Sequence, residues 1–293
     1  MLILSLNTGY SQVAKLGNTK SNTVLKNGTE NAGITSPHGV VRCATHEFHL
    51  AKQKAGKAAS DEAFENWLAP KIKEIEKQRA EGRMLPSVIR IPVVVHVVHN
   101  GDGVGVGENI ADAQVLSQIT VLNQDYRRLA GTPGFGTGVD TTIEFCMAQR
   151  DPSGAATNGI VRHNINPYND NVANVDGADW ETMDDVELAK QNTIWDPTKY
   201  MNMWTFRFGG NTLANGGVSD LLGFAQFPSG SGLLGWPTED CFAGEASTDG
   251  LTMSFGTFGS RAIFPGGNYS DTQYDKGRTA THEIGHGFGL RHI

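Results

Sequence analysis

The chain has 293 residues, 39% of them hydrophobic, with 36 glycines and a formal net charge of −7. That composition is globular and loop-rich rather than disordered, and the acidic balance gives no support for a nucleic-acid partner. No apolar run approaches the ~20 residues that a bilayer span needs, and the three cysteines cannot all pair within one chain.

The start, "MLILSLNTGYSQ", has a very short apolar core with no basic residue before it. It reads either as the end of a secretion signal or as an ordinary extended start. Residues 11–38 are rich in Asn, Thr, Gly, Ser and Lys, the composition of a flexible leader. Cys43 follows in "VVRCATHEFH". The local "HEFH" is not a second HExxH, because its histidines are only three apart and no third ligand follows. The cysteine itself stands open as a free thiol, a disulfide partner or a metal ligand. Ser60, Asp61 and Glu62 mark a helix start. Phe64, Trp67, Leu68, Ile72 and Ile75 then recur at helical spacing, with Pro70 as a kink. "EIEKQRAEGR" closes the segment as an exposed, charged linker.

Beyond Arg90, "IPVVVHVVHN" is a β-branched run of the kind found in buried strands. Its histidines, His96 and His99, read as core or sheet-end residues. The glycines of residues 101–107 match neither a dinucleotide fingerprint nor a P-loop. Val115, Ile119, Leu122 and Tyr126 form one face of a helix. Further strands are expected at "TTIEFCMA", "KYMNMWTFRF", "GFAQF" and "GLTMSF". Cys146 and Cys241 are available to pair, but sequence cannot assign a bridge. The pattern predicts an α+β domain around a mixed sheet, with no internal repeat.

The chain ends in "THEIGHGFGLRHI". On a helix, His282 and His286 share one face a turn apart and can chelate one Zn²⁺. Glu283 lies beside such an ion rather than on it, which suits a general base acting on water that the metal polarises. Gly289 ends the helix and turns the chain back, letting His292 supply the third ligand of a catalytic site. A coincidental helix with ordinary, satisfied histidines is the alternative.

The spacing HExxHxxGxxH is the metzincin signature. Together with "LLGFAQFP", "DGLTMSFGTFGS", "GRTATHEIGHGFGLRHI" and the stretches from residue 89 onward, it resembles the pappalysin family of metzincins, especially its secreted bacterial, ulilysin-type members. The resemblance covers roughly residues 89–293. It implies a zincin-like N-terminal subdomain: a twisted mixed sheet, a backing helix and a metal-binding helix holding one catalytic Zn²⁺, acting on protein or peptide substrates. It also implies that residues 1–88 are a removable pro-segment in which Cys43 blocks the metal. By resemblance, residues 249–259 form the sheet edge that receives an extended substrate. Metzincins continue past the third histidine to a Met-containing turn and a primed-side wall, and some relatives bind Ca²⁺ there. Only Ile293 follows His292, so the C-terminal subdomain has no counterpart in these residues. Two readings follow: a secreted zinc endopeptidase in shortened form, or a remnant that binds zinc or a protein partner without turnover.

Overall fold

The computed structural model describes residues 40–45, 60–83, 88–164, 180, 182–211, 218–226, 246–270, 272–290 and 292. The N-terminal start, the leader up to residue 39 and Cys241 lie outside these residues.

Helix α1 (Asp61–Ala80) begins at Ser60, whose hydroxyl accepts a hydrogen bond from Ala63 N at 3.1 Å. It runs on through Pro70, and Trp67, Leu68, Ile72 and Ile75 are only partly covered. Strand β1 (Ile89–His99) comes next, followed by α2 (Asp112–Tyr126), β2 (Ile143–Met147) and β3 (Ile160–Asn164). Then come α3 (Met183–Thr193), β4 (Met201–Phe206), β5 (Gly223–Ala225), β6 (Leu251–Ser254) and α4 (Arg278–Gly287). Strand β3 and helix α3 are additions to the expected elements. Both carry polar residues at most positions and lack a clean apolar period.

The sheet runs β2-β1-β4-β6-β5, and β3 pairs with the second half of β1 beyond β2. All pairings are parallel except β5 with β6. The uninterrupted apolar run of β1 follows from burial on both faces. Val93, Val95 and Val97 enter a core with α2 and α4, whereas Val98 enters a second core with α3 and Trp204. Each fully buried valine contributes on the order of 1.5–3 kcal/mol relative to exposure.

One expectation is corrected. Strand β6 lies between β4 and β5, so residues 249–259 do not form the sheet edge. Leu251, Thr252 and Met253 are all buried, as an interior strand requires. The edge is β5, three residues long, and residues 41–45 run along it. Val41 N donates to Asp220 O at 2.7 Å, Leu222 N to Val41 O at 3.0 Å and Ala44 N to Gly223 O at 3.4 Å.

His96 and His99 are both buried, in keeping with a structural reading. Asn202 Nδ2 donates to Trp195 O, which orients its Oδ1 toward His96 Nε2 at 3.0 Å. His96 therefore carries its proton on Nε2, and its Nδ1 accepts from His163 Nε2 at 3.0 Å.

Candidate metal centre

Helix α4 ends in a tight reversal that its glycine permits. Gly289 adopts φ +90°, Gly289 N donates to His286 O at 2.7 Å and Leu290 N to Gly285 O at 2.9 Å. This is a Schellman motif, and it brings the chain back over the helix face. The Leu290 carbonyl also faces His286 Nδ1 at 2.7 Å. A carbonyl can only accept, so His286 carries its proton on Nδ1 and turns a bare Nε2 outward.

The Nε2 atoms of His282, His286 and His292 lie 3.1 Å from one another in every pairing. Three ring nitrogens facing inward this closely cannot all be satisfied by hydrogen bonds to each other. A tetrahedral ion with metal–nitrogen bonds of about 2.0–2.1 Å would set them about 3.3 Å apart. The donor set and its spacing fit Zn²⁺. Cys43 Sγ joins the group, and all four ligand atoms lie within 4.8 Å of one another. Desolvation, and then the neighbouring His292, lower the His282 pKa and keep the ring neutral, as a metal ligand must be.

Glu283 is fully buried beside the three rings. Its Oε2 accepts from Thr45 Oγ1 at 3.0 Å and from Cys43 Sγ at 3.5 Å, while Oε1 is buried without a hydrogen-bond partner. Burial raises the Glu283 pKa to about 8, against the opposing hydrogen bonds from Thr45 and Cys43. Burial, and then the Glu283 charge, push the Cys43 thiol well above its ordinary value. Thr45 also accepts from Ala225 N at 2.9 Å. One hydroxyl thus bridges the edge strand and the buried carboxylate.

Two cavities flank the histidines. One, of about 360 Å³, is lined by Arg42, Cys43, Leu222, Tyr274, Arg278 and His282. The other, of about 350 Å³, is lined by Asp125, Tyr126, Thr281, His282, His286 and His292.

No family model matches the chain. It is 24% identical over 267 residues to an extracellular metalloprotease of Colletotrichum graminicola, covering 90% of this chain and 69% of that protein. It is 34% identical to mature mirolysin of Tannerella forsythia, solved with a cleaved peptide, at a TM-score of 0.51, covering 71% of this chain and 65% of that one. These similarities support a metzincin metalloprotease family for the chain. A promirolysin variant of the same organism is 32% identical, with 77% of this chain and 65% of that chain covered and a TM-score of 0.49. The chain spans 65% of the length of the solved mirolysin chains it matches, less than two thirds.

Within this metzincin fold, the structure brings together the residues expected at the metal site: His282, Glu283, His286, His292, Gly289 and Cys43. Sequence reasoning passed over Thr45, Asp125 and Tyr126, because each acts across more than 150 residues of chain. Cys146 is exposed and unbridged, and its proposed partner Cys241 lies outside the described residues. No helix among the described residues is long and apolar enough to cross a membrane.

Proposed function

We propose that this chain carries the metal-binding half of a secreted, pappalysin-type zinc endopeptidase held latent by its own N-terminal segment. The observation that carries the reading is the triangle of Nε2 atoms, 3.1 Å on each side, with the Glu283 carboxylate buried beside it. His282, His286 and His292 would hold the ion. Zn²⁺, when bound there, polarises a peptide carbonyl and makes water more acidic.

The protein's own groups supply the rest. Glu283 takes a proton at its carboxylate and passes it to the leaving amine. The main chain of β5 and of the residues just before it, at Asp220 O, Leu222 N, Gly223 O and Ala225 N, offers hydrogen bonds to an extended peptide once residues 41–45 have left. The mirolysin structure holds a cleaved peptide, which supports a peptide substrate for this chain as well. The extracellular relative supports secretion.

Latency is read from residues 41–45. They occupy the strand edge, bring Cys43 within reach of the ligand set and cap Glu283 through Thr45. Residues 1–88 are then the removable segment.

The test is metal content and casein digestion, measured before and after limited proteolysis near residue 88. Stoichiometric zinc with chelator-sensitive digestion that appears only after cleavage is expected. Stoichiometric zinc with no digestion in any state would leave a binding-only protein.

A further inference from the structure

We infer that Asp125 is a positioning residue for the metal helix: acting through Thr281, its carboxylate fixes the first turn of α4 and so the direction of His282 and Glu283. The inference rests on the metalloprotease reading above.

Helix α4 is weak on its own. It is ten residues long, below the ~12–15 at which an isolated helix becomes stable, and it contains Thr279, Thr281, Gly285 and Gly287. Its N-cap, Gly277, sits at φ +72° with no side-chain cap, and no acidic residue occupies its first turn. The usual local devices for starting a helix and opposing the positive end of its dipole are absent from its own sequence.

Helix α2 instead holds this end of α4 from outside, through side chains. Gln118 Nε2 donates to Gly277 O at 2.9 Å, at the residue where α4 starts. Thr281 Oγ1 donates to Asp125 Oδ2 at 2.8 Å, and Arg278 pairs with Asp125 Oδ1 at 3.0 Å. Tyr126 OH donates to Thr281 O at 3.1 Å. The Asp125 side chain is only 8% exposed, so it acts as a fixed anchor rather than a mobile surface charge. A carboxylate here also opposes the dipole at the helix start.

Thr281 is held at both its hydroxyl and its carbonyl, and His282 and Glu283 are the next two residues. A small rotation of this turn would carry the His282 ring out of the 3.1 Å triangle. Asp125 and the three histidines also line the same 350 Å³ cavity, so the anchor stands directly behind the metal face.

The test compares the full chain with Asp125→Ala, Asp125→Asn and Thr281→Val. Co²⁺ and Zn²⁺ affinity are measured by chelator competition, the Co²⁺ ligand-field spectrum is recorded, and metal-free thermal unfolding is followed separately. Asp125→Ala is expected to weaken metal binding about 10- to 100-fold, the range for losing a group that orients a ligand, and to alter the Co²⁺ spectrum. Asp125→Asn, whose amide oxygen still accepts from Thr281, restores most of the affinity. Thr281→Val reproduces the alanine variant, and it decides the matter alone if Asp125→Ala does not fold. Parental affinity and spectrum in Asp125→Ala and Thr281→Val would overturn the inference, even with a lowered metal-free unfolding temperature. Failure of the parent to bind metal through His282, His286 and His292 would instead sink the metalloprotease reading, and this inference with it.

Discussion

Thr45 Oγ1 donates to Glu283 Oε2 across 3.0 Å while accepting from Ala225 N at 2.9 Å. The hydroxyl therefore does two things that a bound peptide and its attacking water would otherwise share: it satisfies the edge strand and it caps the base. Thr45→Val keeps the shape and removes both hydrogen bonds. Leaving a buried carboxylate and a backbone amide less satisfied costs about 1–3 kcal/mol each. Residues 41–45 should then leave the cleft more readily, and Cys43 should react faster with a thiol reagent. Labelling at the parental rate would show that Thr45 contributes nothing to docking.

Glu283→Gln retains size and burial but cannot accept a proton. In protein freed of its N-terminal segment, hydrolysis should fall by at least about 10²–10⁴-fold, the usual contribution of a general base. Zinc content should stay at one ion per chain, whereas His286→Ala should lose metal and activity together. Equal loss of zinc in the Gln variant would argue that Glu283 supports the site rather than the chemistry.

At Gly223, β5 passes close to the base. A Cβ there would stand 2.9 Å from Thr252 O, 3.1 Å from Thr279 Cγ2 and 3.3 Å from Glu283 Cγ. The first neighbour is β6 backbone and cannot rotate away, so Gly223→Ala should push the edge strand away from β6 and from the helix. A loss of about 1–3 kcal/mol is expected from overpacking, read as a lowered urea midpoint. An unchanged midpoint would mean that the strand moves without cost.

The His96–His163 pair predicts acid sensitivity. Desolvation, and then the His163 neighbour, lower His96 to about 3, and desolvation, followed by His99, lowers His163 to about 4. Unfolded, both titrate near 6.5. Below that pH the unfolded chain binds protons that the folded chain refuses, so stability falls as pH falls. The loss runs from about pH 6.5 down toward the folded values, with a limiting slope of about 1.4 kcal/mol per pH unit for each ring. Urea midpoints at pH 7 and pH 4.5 should differ accordingly in the metal-free protein. His163→Gln should flatten the dependence, and a parental slope in that variant would remove His163 as its source.

Much of this protein was legible locally. The β1 run announces a strand buried on both faces, because only such a strand tolerates apolar residues at successive positions. The apolar face of α2 follows from its period, but Gln114, Ser117 and Gln118, equally buried, do not. Gln114 Nε2 donates to Phe258 O and Gln118 Oε1 accepts from Gly259 N, each more than 140 residues away. No local pattern encodes such partners. The expected edge strand differs from the observed one for a related reason: "GFA" and "GLTMSF" are both short and apolar, and only their pairing order decides which one has a free side for residues 41–45 to run along.

By itself, the sequence determined the chemistry available to the chain. Two histidines four apart share a helix face, a glycine permits the reversal after it, and a third histidine stands three residues further on. These are short-range consequences of helical geometry. Only the tertiary structure decided what surrounds them. It set Thr45 against Glu283 across 238 residues and Asp125 against Thr281 across 156, and it made β5 rather than β6 the edge. Residue spacing specifies which atoms a helix can present, whereas the partners that bury, cap and orient those atoms arrive from distant chain segments through packing.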